Sequence, residues 1–355
     1  MRIATLSNAA VLHTRRWVEH FRARGHEVRV WSLEPPMAGL AAEPLPRLPL
    51  PGFLRYPLAL PALVRALDGF DPDLVDAHYV PNYGLLAALA RRHPLSVCAW
   101  GSDLLVAGRR DAWRRARARF VLRSADLVLT DAENLAAAAR ALGAAPERLH
   151  MIPWGVDLAR FAPAAERAPG LLVSTRMHEP VYDLETLLRG VQPVLAARPG
   201  ARLVVAGDGS LRPALERRAA ELLPPGRWHF AGRLEPAALA ALLARADVYL
   251  SASLSDSTSL SLLEAMAAGA LPVVSDIAGN REWVGEGDGA WLFAPGDVAA
   301  LTRALSGALD DAGGAAAARA RNRRVVQERG DWSASLARIE ALFEGLVAGR
   351  RGRTA

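Results

Sequence analysis

The sequence predicts an α/β protein of two doubly wound, Rossmann-like halves with a ligand cleft between them. Three observations predict it. Apolar runs of strand length alternate with helix-period patterns along the whole chain, which is the order of βαβ units and parallel sheets. The runs fall into two series, separated by a stretch that carries Pro163, Pro169 and a closing Gly170. The 355 residues are too many for one ordinary core and suit two of about 150 residues.

Taken in order, the first strand is read at 3–6, directly behind Met1 and Arg2. That apolar run is too short for a signal peptide, and no uncharged apolar stretch reaches the length of a membrane span. An amphipathic helix follows at 14–24, then strands at 28–31, 74–77, 95–99, 127–129 and 149–152, with a helix at 134–142. The second series places strands at 171–174, 202–206, 228–231, 248–251, 271–274 and 290–293, each leading into a helical pattern. The tail reads as one amphipathic helix, with Leu336, Ile339, Leu342 and Leu346 on its apolar face. The expected organisation is therefore an N-terminal domain 1–158, a linker 159–169, a C-terminal domain 170–330, and a helix in 331–355 that packs back toward the first domain.

Composition excludes several chemistries. The 43 basic residues are all arginine, set against 37 acids for a formal charge of +6. Without lysine there is no Schiff base and no Walker-type P-loop, since each needs an amine at the reacting position. Any phosphate must be held by arginine, backbone amides or helix ends. The arginine bias itself matches GC-rich coding. One cysteine, Cys98, leaves no disulfide within the chain and points to a reducing, cytoplasmic setting.

The most informative stretch runs from Ser251 to Gly269. A strand enters a loop of small hydroxyl residues, and a helix starts near Leu260 with Ser257, Thr258 and Ser259 as N-cap candidates. Such a start suits a diphosphate. Glu264 stands about one turn into an otherwise apolar helix and Asp256 in the loop at its mouth. A carboxylate there either accepts the two hydroxyls of a ribose or caps a neighbouring loop. Arg176, after the 171–174 strand, either grips phosphate oxygens with its planar fork or makes a surface ion pair.

Asp256…Glu264, continuing as Ala265-Met266-Ala267-Ala268-Gly269, resembles the acid-x7-Glu signature of retaining glycosyltransferases of family four, which have the GT-B fold. Arg24-Gly25-His26-Glu27-Val28, Ser124-Ala125-Asp126, Pro153-Trp154-Gly155-Val156-Asp157, Ala206-Gly207-Asp208-Gly209, Phe230-Ala231-Gly232-Arg233 and Ala294-Pro295-Gly296-Asp297 agree in order and spacing. The resemblance implies a nucleoside-diphosphate sugar, linked to UDP or GDP, as donor substrate, with no further cofactor and no metal. It implies that Glu264 binds the ribose, Asp256 the transferred sugar, Arg176 and the amides of 258–260 the diphosphate, and Gly232-Arg233-Leu234 the base.

Four departures stand out. The family usually has Glu at Asp256, lysine at Val181, histidine at Trp100 ahead of Gly101-Ser102-Asp103, and Gly-Gly where this chain has Asn8-Ala9-Ala10. Asp103 remains the acceptor-side carboxylate that the resemblance offers. His13, Arg15, Arg16 and Trp17 after the first strand, and His78 and Tyr79 after the third, are the acceptor-side candidates from loop position; ordinary loop polarity is the alternative.

The segment 109–123 holds Arg109, Arg110, Arg114, Arg115, Arg117, Arg119 and Arg123, with Trp113, Ala116 and Phe120 on another face. It reads either as the solvated side of a core helix or as a contact for anionic lipid at the inner face of the plasma membrane. Asp71-Pro72-Asp73 is a turn rather than a metal triplet. The histidines lack metal-ligand spacing, and no nucleic-acid module is present.

The expected function is transfer of a sugar from a nucleoside diphosphate to a hydroxyl acceptor, lipid-linked or not, in cell-envelope or polysaccharide synthesis. A nucleotide-sugar 2-epimerase and a non-catalytic binding protein are the alternatives.

Overall fold

The computed structural model describes residues 1–106, 111–285 and 289–354. They form two compact units, Met1–Ile152 with Leu336–Ala355, and Pro153–Ser335. Each is a parallel α/β sheet with helices on both faces.

The first sheet contains β1 (Arg2–Leu6), β2 (Glu27–Ser32), β3 (Glu43–Pro44), β4 (Leu74–His78), β5 (Leu95–Cys98), β6 (Leu127–Thr130) and β7 (Leu149–Met151). Its order is β3-β2-β1-β4-β5-β6-β7, so the winding reverses between β1 and β4. Loops at the carboxyl ends of strands flanking such a reversal form a crevice. Trp31, Leu63, Phe70, Tyr83, Val97 and Val121 belong to the core on one face. On the other, Phe343 of the C-terminal helix stacks on Phe21 at 5.5 Å and meets Trp17 edge-on at 6.3 Å.

The second sheet contains β8 (Leu171–Ser174), β9 (Arg202–Ala206), β10 (Trp228–Gly232), β11 (Val248–Ser251), β12 (Leu271–Ser275) and β13 (Trp291–Phe293), in the order β10-β9-β8-β11-β12-β13. The reversal lies between β8 and β11. Its central strands β8, β11 and β12 are buried on both faces, hence their runs of Val and Leu. Leu187, Val191, Val205 and Leu301 fill one core, and Tyr249, Leu262, Met266 and Val274 the other.

The structure differs from the sequence reading in several places. The stretch 159–169 lies within the second unit, whose core includes Phe161. The edge strand β3 and the helices Gly52–Leu58 and Leu60–Phe70 occupy a proline-rich region with no clear period. The C-terminal helix runs Trp332–Thr354 and buries Leu336, Ile339, Phe343 and Val347, leaving Leu342 and Leu346 half-buried. In the basic segment Arg109 and Arg110 lie outside the described residues. The rest is helix Ala112–Ser124, which buries Ala118, Val121 and Leu122 and exposes Trp113 (64%) and Phe120 (42%).

Candidate active site

In the second unit the loops after β8 and β11 meet at the sheet reversal. β8 ends at Ser174 and delivers Arg176, which is 7% exposed. Its Nη1 donates to the hydroxyls of Ser259 (2.7 Å) and Ser261 (2.6 Å), and its Nη2 to a carboxylate oxygen of Asp256 (2.5 Å). The Tyr182 ring lies 4.2 Å from the guanidinium carbon. Burial works against the charge on Arg176, but the Asp256 carboxylate, with Tyr249 and Tyr182, outweighs it and raises the pKa. The cation is permanent and its fork is held in one orientation. Sequence reading offered phosphate binding or an ion pair for this residue; the second is present in the structure, and it is buried rather than on the surface.

Helix Leu260–Ala268 starts where the hydroxyl loop predicts. Ser259 is its N-cap, accepting from the Leu262 N–H at 3.4 Å, and Gly269 in the left-handed region ends it. Ser257, Thr258 and Ser259 are all buried. Along the helix only Leu260, Ser261 and Glu264 are half-buried, while Leu262, Leu263 and Ala265–Ala268 are buried. The half-buried residues share one face by i, i+3 and i, i+4 spacing. Glu264 therefore stands one turn beyond the serine that Arg176 touches. Gly232 closes β10 with φ of +68°, followed by exposed Arg233 and half-buried Leu234.

Sequence reasoning missed four residues of this site. Ser261 links Arg176 to Tyr249, whose hydroxyl donates to it at 2.8 Å. Tyr182 adjoins Val181, where the family usually has lysine, and supplies an aromatic face rather than a charge. Gly279 faces the hydroxyl loop so closely that a β-carbon there would overlap the carbonyl oxygens of Ser257 and Asp256. None carried a signal beyond its residue type.

The first unit gathers the acceptor-side candidates at its own reversal. His78 ends β4 fully buried, its Nε2 2.9 Å from Asp76 Oδ2. Tyr79 follows with φ of +74°, a conformation costing a non-glycine residue about 1–3 kcal/mol. It opens a π-helical turn, Tyr79–Gly84. Trp100 stands edge-on to His13 (5.9 Å), His78 (5.7 Å) and Tyr79 (6.5 Å). Burial, then Arg16 and His78, lower the His13 pKa to about 4. Arg16 is half-buried beside it.

Asp103 is 1% exposed and accepts from the backbone N–H groups of Val80 (3.0 Å), Trp100 (3.1 Å) and Leu104 (3.1 Å). Burial raises its pKa to about 6, against the pull of those bonds. Its oxygens fix the loops that carry Tyr79 and Trp100, which makes it a positioning residue here. Among the described residues, one group has metal-ligating geometry: His26, Glu340 and Glu344. Glu340 is already engaged by Arg24 at 3.0 Å and His26 at 2.8 Å.

Comparison with known proteins agrees across the chain. Residues 10–160 match the family described as Glycosyltransferase Family 4 and residues 168–311 the one described as Glycosyl transferases group 1. The phosphatidyl-myo-inositol mannosyltransferase of Mycolicibacterium smegmatis is 32% identical over 204 residues, 54% of this chain and 51% of that protein. The GDP-mannose-dependent alpha-mannosyltransferase of the same organism is 29% identical over 299 residues, 76% of each. The chain thus spans about half the length of the first of these relatives. Anabaena HepE, solved with UDP and glucose, superposes with a TM-score of 0.83 at 17% identity, covering 98% of this chain and 100% of that one. At that identity the likeness speaks for the fold.

Proposed function

Because the chain belongs to glycosyltransferase family four, with the GT-B fold and glycosyltransferase activity that go with it, we propose that it moves a sugar from a nucleoside diphosphate to a hydroxyl acceptor with retention of anomeric configuration. One observation carries the reading. At the reversal of the second sheet, a buried, permanently charged arginine, a serine-capped helix N-terminus and a carboxylate on the same helix face converge within one loop-helix unit.

Charge that develops on a leaving diphosphate is best met by fixed donors in a dry setting. Arg176 and the N–H groups of 258–260 are such donors, and the ion pair with Asp256 keeps the guanidinium aimed before donor binds. Arginine and a helix end supply the positive charge without a metal ion. Glu264, one turn further, suits a ribose diol, and Gly232-Arg233-Leu234 the base. The departing diphosphate takes the acceptor's proton, so no protein nucleophile is required. A relative that is a phosphatidyl-myo-inositol mannosyltransferase supports a lipid-linked acceptor and a role in cell-envelope glycan assembly. The exposed aromatic and arginine face of helix Ala112–Ser124 supports work at an anionic membrane surface.

A transfer assay with UDP- and GDP-sugars tests this, with the product's anomeric configuration read by NMR. Glu264→Ala should lower turnover about a hundredfold or more with little change in unfolding temperature, and Arg176→Ala should lower it as far while also costing stability, since it removes the cation from a buried ion pair. Wild-type-like turnover in both, or an inverted product, sinks the proposal. Nucleotide sugar recovered with its C2 configuration inverted, without acceptor and without net release of nucleoside diphosphate, points instead to a 2-epimerase.

A further inference from the structure

The Arg176 guanidinium is covered on most of its edges. Ser259 and Ser261 occupy Nη1, Asp256 occupies Nη2, and the Tyr182 ring lies against one face. A phosphate oxygen reaches the fork only where one of these partners gives way. Ser259 caps helix Leu260–Ala268 and Ser261 lies in its first turn, so the helix fixes both. Tyr182 ends the turn Pro180–Tyr182, which the bond from Leu254 N–H to Val181 O (2.8 Å) ties to the neighbouring loop. Asp256 stands in the loop ahead of the helix, its side chain 18% exposed against 8% for Arg176. It is the movable partner, and the one anion bonded to Arg176 among the described residues.

The pair is also incomplete. Asp256 meets Nη2 with one oxygen, while the other accepts the Ser257 N–H at 3.1 Å. Arg176 Nε, on the same edge of the fork as Nη2, is buried and has no acceptor among the described residues. A buried donor without an acceptor costs free energy. A phosphate that spans Nε and Nη2 with two oxygens removes this cost, and the single carboxylate oxygen does not. Hydrogen bonding thus favours exchange of Asp256 for phosphate, and charge opposes it. The displaced carboxylate stays in its loop beside the incoming anion, and the repulsion grows with the charge brought in. A nucleotide sugar brings two negative charges on its diphosphate. A free nucleoside diphosphate brings nearly three at pH 8, because its terminal phosphate loses a second proton near a pKa of about 6.

We infer that Asp256 is a resident counter-ion of Arg176, which gives way to the diphosphate of the donor and, by its charge, makes the site hold the nucleotide sugar in preference to the nucleoside diphosphate that transfer releases. The inference rests on the donor reading of this site and gives Asp256 a part in release of the spent nucleotide.

The test is isothermal titration calorimetry of the full chain with UDP, UDP-glucose, GDP and GDP-mannose. The buffer is at pH 8 with EDTA, so that no metal ion masks the third charge. Asp256→Asn keeps the shape and an acceptor oxygen but drops the charge. It should bind the nucleoside diphosphate about tenfold more tightly than wild type, and the matching nucleotide sugar about threefold more tightly at most. Asp256→Glu keeps the charge and should leave the ratio of the two Kd values within about twofold of wild type. A purely structural Asp256 would instead make both ligands weaker in Asp256→Asn. If that variant loses its near-UV circular dichroism, Asp256→Ser, hydroxylic like the rest of the loop, decides by the same signs. Unchanged or weaker nucleoside diphosphate binding, or an unchanged ratio, overturns this inference alone. Failure of all four nucleotides to bind wild type overturns the donor reading and this inference with it.

Discussion

Asp103 and His13, both near Trp100, give the first unit two opposed responses to acid. Folding lifts the Asp103 pKa from an ordinary value near 4 to about 6. The folded state therefore binds the extra proton between those values, and this contribution to stability is lost as pH rises through the window. Two pH units correspond to about 3 kcal/mol at most. His13 is displaced the other way, from 6.5 to about 4. There the unfolded state holds the extra proton, so stability grows as pH rises from about 4 to 6.5. Urea denaturation of Asp103→Asn should give a stability that climbs more steeply than wild type between pH 4 and 6. His13→Gln should climb less steeply or fall. Curves parallel to wild type in both variants would refute the assignment. The resemblance singled out Asp103 by its place in Gly101-Ser102-Asp103, but its three amide partners, which make it a brace for two loops, were not legible. Arg176, Ser259 and Asp256 could likewise be singled out from residue type and position, whereas the convergence of Arg176 and Tyr249 on Ser261 exists only once β8 and β11 lie side by side.

Helix Ala112–Ser124 displays a limit of periodicity at the level of elements. A helical wheel groups Trp113, Ala116 and Phe120 correctly but does not say which face turns inward. The sheet takes Ala118, Val121 and Leu122, because small and branched side chains pack more closely against the layer beneath. The aromatic stripe is left outside, with Arg115, Arg119 and Arg123 exposed along its flank and no acidic residue in the helix. Apolar rings beside arginines form the pattern that inserts at the headgroup level of an anionic bilayer. Arg117 donates to the carbonyl of Pro81, tying the helix to the π-helical turn Tyr79–Gly84. Co-sedimentation with phosphatidylglycerol-containing vesicles should retain the protein at low salt and release it as salt rises. Trp113→Ser with Phe120→Ser should weaken retention about tenfold or more, since each ring buries substantial area. Equal retention on purely zwitterionic vesicles would remove the electrostatic part of the argument. The strands, by contrast, could be read almost residue by residue. Runs buried on both faces have no competing pattern, and only the two-residue β3, held by pairing with β2 alone, escapes.

At the scale of the whole molecule, the second unit is inserted into the first: the chain leaves the first after Ile152 and rejoins it at Leu336. The two ends of the insert are paired. Val156 N–H donates to Gly330 O at 2.8 Å and Trp332 N–H to Val156 O at 3.1 Å. Gly155 permits the approach, with φ of +75° and a would-be β-carbon only 2.7 Å from Gly330 O. The first unit is consequently completed by the last residues of the chain. An apolar face was legible in that tail, but its phase was not. Leu342 and Leu346 fit the period as well as Phe343 and Val347, and the choice belongs to Phe21, on which Phe343 stacks, and to Trp17, which Phe343 meets edge-on. Arg24 and His26 on Glu340 hold the same register. Truncating a fully buried phenylalanine leaves a cavity that costs about 3–5 kcal/mol. Phe343→Ala should therefore lower the unfolding free energy by that amount, read from urea denaturation followed by tryptophan fluorescence because Trp17 borders the gap, whereas Leu342→Ala, on the half-buried side, should cost less than half as much. Equal losses in the two variants would mean that the helix packs in the other phase.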